Sequence, residues 1–587
     1  MKNQDNVGLT GLGKFISFVL IAGLIAVGGY VFWANSNQPL PEVATDKPAD
    51  TAVPDGRPPS IGGPSAQSPR AADSPRDQPQ EKPAAIAIAE MKRTPDRLPA
   101  PAPYKMQGDV VEIELSEYAG YAGLIVANGG LEPNDSSYFK QKHGFKLKIK
   151  LSEEESWPAL NQGKMAASAT TVDVLAVYGR QFDVVVPAQI GFSRGADGVV
   201  VRSDIKRINQ LKGQNVIVPQ FTEGEYLIRY LAQEAGLAVA MLPGLDSPRD
   251  PDKLNLAFAD GGFEAGDAFL ADLQAGGNQL AGCVTWAPKT TEVADESDGK
   301  AVVLATNRNL LIIADVLVVN RGFAQANPKV VAGLVDGLLH GNALVRAKPD
   351  EHLDLIAKAF DWDKAEAKVE LTKVHLSNGA ENVAFFAGAL DAAGSFGGIF
   401  NSAVLAYGPA IIPNPSDSDR FLGLTALKAM ETDGAFKDQQ ISIAPIRTTT
   451  ASGALEVNPL LSKDIRFFFE PNSDELDGAK VENTKMLADI KRLLQVSPGS
   501  TLLLRGHVDP GRVADFRKQG GEELVRQQAM RAMDLSKRRA ARVKTLLVEQ
   551  ERIDAGRIDA VGRGWEEPAG KSQSENMRVE VQWFTLE

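Results

Sequence analysis

"LLLRGHVDPG", Leu502 to Gly511, decides how the C-terminal part of this chain is read. Its leucine run reads as a buried strand, and Pro510-Gly511 ends that strand sharply. One carboxylate, Asp509, is thereby delivered to a tight turn. The neighbouring segments complete a pattern. "DIRFFFEPNSDEL" (Asp464–Leu476) reads as strand, turn and helix start, and "VENTKMLADIKRLLQVSP" (Val481–Pro498) as an amphipathic helix. "LSKRRAARVKTLLVEQ" (Leu535–Gln550) reads as a second helix, and "IDAVGRGWEEP" (Ile558–Pro568) and "MRVEVQWF" (Met577–Phe584) as strands. The order β-α-β-α-β-β predicts a small α/β sandwich over residues 460–587.

Upstream, the polar stretch "RTTTASGALEVNP" (Arg447–Pro459) reads as a linker, assigned to 446–459. Before it lies a larger region, 109–445. It opens with a strand, "DVVEIEL". "FKLKIKL" (Phe145–Leu151) then alternates apolar residues with lysines, the mark of a half-solvated strand. Helical patterns follow, alternating with runs that read as buried strands: "VDVLAVYG", "FDVVVPAQI", "DGVVVRS", "NVIVPQ", "GCVTWAP", "AVVLATN" and "ADVLVVN". The alternation predicts α/β layering with mostly parallel sheets. Helical patterns continue from Pro328 to about Ala435.

Residues 35–108 are rich in Pro, Ala, Ser, Asp and Gln and bury too little to fold. A flexible coil of this length averages roughly 45 Å end to end. Ahead of this tether, Phe15 to Trp33 is an uncharged apolar run long enough to span a bilayer, so 14–34 is expected to be a transmembrane helix. Lys2 and Lys14 precede the run and no Lys or Arg follows until Lys47. The charge asymmetry makes 1–13 a cytoplasmic stub and leaves the bulk outside. The span holds no ionisable group, which argues against a proton-conducting stator. Ala22 and Ala26 have the spacing that permits pairing of two copies.

The net charge of −12 argues against nucleic acid as a partner. With Cys283 as the only cysteine there is no internal disulfide framework, and the five histidines have no metal-ligand spacing. No nucleophile–base pair or phosphate loop is present. The sequence therefore points to binding, without cofactor or metal, and not to catalysis.

Residues 460–587 resemble the OmpA C-terminal, peptidoglycan-binding domain. The resemblance rests on "GHVDPG" (Gly506–Gly511), "LSKRRAARV" (Leu535–Val543), "RIDAVGRGWEEP" (Arg557–Pro568) and "NMRVEV" (Asn576–Val581). It implies noncovalent capture of the diaminopimelate residue of a peptidoglycan stem peptide. The ligand offers an ammonium and a carboxylate on one carbon. Asp509 is expected to take the ammonium. Arg539, placed in the first turn of "LSKRRAARV", would take the carboxylate bidentately, with a helix start adding to the attraction. Gly506, His507, Asn576 and Arg578 complete the implied site. Three positions depart from the family pattern: Val508, where Thr is usual, Ala532, where Asn is usual, and Met577, in the usual arginine pair. The stretch "RVADFRKQGGEELVRQQAMRAM" is longer than the family norm, looks helical and would border the site.

Residues 109–445 resemble periplasmic substrate-binding proteins of ABC transporters, nearest to the nitrate, sulphonate and taurine type. The carrying phrases are "SEYAGYAGLIVANGG", "LNQGKMAASATTVDVLA", "SRGADGVVVRSDI", "QLKGQNVIVPQFTEGEYLIRYLAQEAGL", "CVTWAP" and "IADVLVVN". The implied architecture is two α/β lobes joined by crossing strands and closing on a ligand. Cleft candidates by position are Tyr118, Tyr121, Thr170, Thr171, Ser193, Asp197, Thr222, Glu223, Trp286 and Asp315. "TEGE" (Thr222–Glu225) also reads as a capping box. Asp173, Asp197, Glu223, Glu225 and Asp315 crowd the predicted strand ends, with Arg194 the one cation nearby. The balance leans towards a cationic or zwitterionic ligand, and a protein-docking cleft is equally consistent.

The resulting expectation is an inner-membrane, single-pass protein of a Gram-negative envelope. It would bind peptidoglycan and present a receptor domain to a small ligand or a membrane-protein partner. A structural tether whose middle domain docks a protein, and a stator-like motor subunit, are the alternatives.

Overall fold

β1 (Val110–Ser116) pairs in parallel with β2 (Lys146–Ser152), Val110 opposite Lys146. β2 buries Leu147 and Ile149 and turns Lys148 and Lys150 outward. There Lys148 meets Glu112 at 3.1 Å and Lys150 meets Glu114 at 2.7 Å, opposite charges on facing strands. The structure, a computed structural model, describes residues 86, 88–152, 156–389, 394–443, 460–465, 467–470, 473–495 and 500–584. The expected transmembrane helix, the tether up to residue 85 and the linker 446–459 lie outside the described residues. Among the described residues no helix is long and apolar enough to cross a membrane.

The chain continues through β3 (Ala167–Thr171), β4 (Val184–Ser193), β5 (Asp197–Arg202), β6 (Asn215–Pro219), β7 (Val239–Met241) and β8 (Leu254–Ala259). β9 (Gly282–Trp286), β10 (Ala301–Thr306), β11 (Ala314–Asn320) and β12 (Val374–Leu376) follow. Two six-stranded sheets result, in the orders β12-β4-β11-β3-β1-β2 and β10-β5-β9-β6-β8-β7. β1 to β4 build the first, β5 to β10 the second, and β11 returns to the first. The chain crosses between lobes twice, at 194–196 and at 307–313.

The sheets are less parallel than the sequence suggests. β11 runs antiparallel to both β3 and β4, and β5 antiparallel to both β9 and β10. "VDVLAVYG" is a helix, α1 (Val172–Tyr178), and not a strand. Six of its seven residues are buried, and an element buried on all sides shows no helical period. Residues 88–108 also differ from the composition-based tether. Ala89 N donates to Phe258 O at 2.7 Å, Leu98 and Tyr104 are buried, and Ala102 N donates to Asn161 O at 2.9 Å.

The C-terminal region has the expected β-α-β-α-β-β order. β13 (Leu461–Ile465), β14 (Thr501–Gly506), β15 (Ile558–Gly562) and β16 (Val579–Phe584) form one sheet, ordered β13-β16-β14-β15. α2 (Glu223–Glu234) belongs to the second lobe, and α3 (Val481–Gln495) and α4 (Val513–Glu549) to the C-terminal region. The small sheet packs against the second lobe. Asn209 brackets Ser462 with two hydrogen bonds of 2.9 Å, and Arg492 of α3 pairs with the buried Glu234 of α2.

One carboxylate ties the end of the large region to the first lobe. Glu381 is fully buried and accepts from Arg346 at 2.7 Å, Asn378 N at 2.8 Å and Ser442 N at 2.9 Å, with His375 at 3.1 Å. Burial pushes its pKa up, but His375 and the two N–H donors outweigh burial and hold it at about 2. A depressed carboxyl stabilises above its unfolded value and loses that contribution as pH falls towards 2. Glu381→Ala is expected to cost about 3 kcal/mol at neutral pH. In urea titrations the gap to wild type should shrink as pH drops below 4.5, the ordinary value.

Candidate functional site

Strand ends of both lobes meet around a cavity of about 100 Å³. β1 and the turn after it bring Ser116, Tyr118 and Tyr121, β3 brings Thr170 and Thr171, and the first crossing brings Ser193 and Asp197. The turn after β6 brings Phe221, Thr222 and Glu223, β9 ends in Trp286, and the second crossing leads to Ile313 and Asp315. All ten residues proposed from the sequence line this one cavity. The other six lining residues, Ser116, Trp157, Val174, Ala196, Phe221 and Ile313, were not among the candidates. Phe221 has a left-handed backbone, φ 67°, for which a bulky residue gives no sequence signal.

Local contacts fix the geometry. Ser193 Oγ donates to Asp197 Oδ2 at 2.5 Å and Asn307 Nδ2 donates to the same oxygen at 3.0 Å. Asp197 thus links both crossings. Burial pushes its pKa up to about 6, against the pull of those two donors. Tyr121 donates to Asp315 Oδ1 at 3.4 Å. The Tyr118 phenol is pushed far up by burial and by the Asp315 and Asp197 charges. Trp286 is seated by a glycine: a Cβ on Gly262 would lie 2.2 Å from the indole ring.

The capping box read in "TEGE" does not form. Thr222 Oγ1 donates to Pro219 O at 3.1 Å. Glu225 reaches back to Phe221 N at 2.6 Å and pairs with Arg229 at 2.7 Å, both side chains buried. Glu225 is therefore spent on holding Phe221 and leaves Glu223 at the cavity. Asp173, on α1, is fully buried, and its carboxylate has only weak local donors, the Thr171 side chain and its own backbone N–H. Arg194 does not line the cavity. Its Nε donates to Arg308 O at 3.1 Å.

The second site is a groove of about 1160 Å³ in the C-terminal region. Asp509 and Arg539 both line it. Asp509 Oδ2 accepts from Gly511 N at 3.0 Å, an Asx turn, and Oδ1 accepts from Asn576 Nδ2 at 2.9 Å. Asn576 is buried and also accepts from Ala569 N and Gly570 N, so it aims Asp509 and does not face the groove. Arg539 sits 4.8 Å over the Phe469 ring and donates from Nε to Ser473 O at 3.0 Å. Burial draws its pKa down, with the Asp474 charge opposing.

Arg539 is not at a helix start. α4 is interrupted only at Gly520 and Gly521 (φ 61°) and runs unbroken through Leu535. Arg539 therefore lies several turns inside, and the expected helix-end attraction is absent there. The remaining motif residues have other duties. A Cβ on Gly506 would lie 2.1 Å from Ser536 O, so this glycine lets β14 touch α4. His507 is buried with Nε2 3.6 Å from Glu580, and Arg578 lies 3.6 Å from the same carboxylate. Val508, Ala532 and Met577, the three departures, all line the groove, as do Arg512, Phe516, Gln527, Gln528, Met530 and Arg531 of the long insert.

Two family models match parts of the chain: the OmpA family over residues 468–582 and the NMT1/THI5-like family over residues 122–352. The OmpA match falls on the C-terminal region and the NMT1/THI5-like match on most of the two-lobed region. No curated protein matches the chain. Among solved structures, it is similar to the periplasmic aliphatic sulphonate binding protein SsuA from Escherichia coli, at 17% identity and TM-score 0.39, covering 54% of this chain and 98% of that one. A ligand-binding component of an ABC-type import system from Staphylococcus aureus, with zinc bound, gives 12% identity and TM-score 0.39 over 55% and 98%. The alkanesulfonate-binding protein SsuA from Xanthomonas axonopodis pv. citri, bound to MOPS, gives 16% and 0.37 over 52% and 97%.

Proposed function

We propose that this chain is an envelope receptor held at two points. Its N-terminal span anchors it in the inner membrane, its OmpA domain holds peptidoglycan without a covalent bond, and its two-lobed domain binds a small solute between them. The observation that carries the wall-binding half is the convergence of Asp509 and Arg539 on one groove, an anion and a guanidinium fork suited to an ammonium and a carboxylate on one carbon. The convergence of strand ends from both lobes on one cavity supports the receptor half. Binding and not turnover is favoured because Cys283, the one thiol, is fully buried in the second lobe with its pKa pushed up by burial.

Co-sedimentation of the full chain with purified diaminopimelate-type peptidoglycan tests the wall-binding half. Wild type should pellet. Asp509→Asn, which keeps an acceptor for the turn, and Arg539→Lys, which keeps charge but loses the fork, should each bind at least roughly tenfold more weakly. Equal pelleting of all three proteins, or none, would sink the assignment.

A further inference from the structure

We infer that the two-lobed cleft takes a compact organic cation, an alkylammonium head group carrying no carboxylate of its own. This rests on reading the middle domain as a solute receptor and goes on to name the class of solute. Three carboxylates line the cavity, Asp197, Asp315 and Glu223, and no Lys, Arg or His does so among the described residues. Five of the other thirteen lining residues are aromatic: Tyr118, Tyr121, Trp157, Phe221 and Trp286. Aromatic faces and carboxylates together attract a cation by two independent terms, ring quadrupole and charge.

A cluster of acids can arise for structural reasons, so a separate observation is needed. Thr170, on β3 and only 3% exposed, lines the same cavity, and its hydroxyl has no hydrogen-bond partner among the described residues. A buried hydroxyl without a partner is costly unless something else completes it. Three residues further on, Asp173 is fully buried and its charge interacts with that of Asp197 in the cavity wall. Arg194 and Arg308, the cations nearest in sequence to the crossings, line a different surface pocket with Lys373. A bare anion would meet three like charges, and a zwitterion would find no cation for its carboxylate.

A metal ion is a poor alternative. No group of His, Cys, Asp and Glu among the described residues is arranged to hold one, and hard cations want oxygen donors around them, not indole and phenyl faces. The space also limits the ligand. A cavity of about 100 Å³ has room for roughly seven to ten water-sized groups when one water needs roughly 10–15 Å³ by the same measure.

The test is calorimetric titration of the full chain with choline, with the uncharged isostere in which carbon replaces the nitrogen, and with methanesulphonate. Choline should bind, the isostere at least roughly tenfold more weakly, and methanesulphonate not at all. Asp315→Asn and, separately, Trp157→Ala should each weaken choline binding while hydrogen exchange of the lobe strands stays at wild-type rates. Isostere binding equal to choline, or tighter binding of methanesulphonate, would overturn the cation assignment and leave the receptor reading standing. If no probe of any charge binds, the receptor reading falls and this inference with it.

Discussion

Gly506→Val is expected to unfold the C-terminal sheet while the two lobes keep their structure. The reason is a backbone-to-backbone contact. A Cβ at residue 506 would lie 2.1 Å from Ser536 O and 2.9 Å from its carbonyl carbon, and backbone cannot rotate away as a side chain can. The same helix presses on β15, where a Cβ on Gly562 would lie 2.6 Å from Lys537 N and 2.7 Å from Met533 O. Valine at 506 must therefore push α4 off two strands, opening the core formed by Leu502, Leu504, Ala540, Val543 and Leu547. A loss of more than about 4 kcal/mol is expected, in the range reserved for named steric failures. Domain-resolved hydrogen exchange is the right readout, because a multidomain chain has no single unfolding free energy. Amides of β14 and β15 should lose protection while those of β4 and β11 keep it. Asp509→Asn should leave both sets protected. Full protection of β14 in Gly506→Val would show that the helix can shift without cost.

That contrast also shows what the sequence could disclose. The motif "GHVDPG" carries residues of two kinds, and a motif does not separate them. Asp509 lines the groove, whereas Gly506 exists to bring α4 close, and α4 is what carries Arg539 to the same groove. Eight of the twelve strands described in the two lobes were legible, because apolar runs bounded by turn residues have few other uses, whereas β3, β7, β8 and β12, short or poor in β-branched residues, were not. Strand direction was not, since a buried run looks the same whichever way it points. α1 was misread for a related reason: short and enclosed, it offers no polar face to set a period. The start of α4 was placed at Leu535 on motif grounds, but the break signal was Gly520-Gly521. The ten cleft candidates share one cavity because they sit at or next to strand ends and turns, the positions that face a cleft in a two-lobed α/β fold. Trp157 and Phe221 sit on segments whose approach depends on tertiary packing, and nothing local announces it.

Asp173→Asn is expected to make the protein more stable above pH 7 and a poorer binder of cations. Burial pushes the Asp173 pKa up to about 7 from an ordinary 3.8, against the pull of the Thr171 side chain and its own backbone N–H, with the Asp197 and Glu225 charges adding to the shift. A carboxyl whose folded value is raised binds its proton more tightly folded than unfolded, so stability rises as pH falls through 7 and levels off near 4. Asp197, raised to about 6, acts in the same direction. Glu381 and Glu580, both held at about 2, act in the opposite direction and only below about 4.5. Wild type should therefore be most stable in mildly acid solution, and thermal midpoints measured from pH 4.5 to 8 should fall on the alkaline side. In Asp173→Asn that alkaline decline should flatten, with a gain on the order of 2 kcal/mol above pH 7 from removing a buried charge whose weak local donors do not offset its burial. Choline titration of the same variant should show severalfold weaker binding, because the potential behind Thr170 has been removed. A gain in stability with unchanged affinity would place Asp173 outside the binding field. A loss of stability would mean that Asp173 has a partner in solution. The expected pairing, stability gained as affinity is lost, is what a cleft kept in readiness for a cation requires: its charges are costly until the ligand arrives to neutralise them.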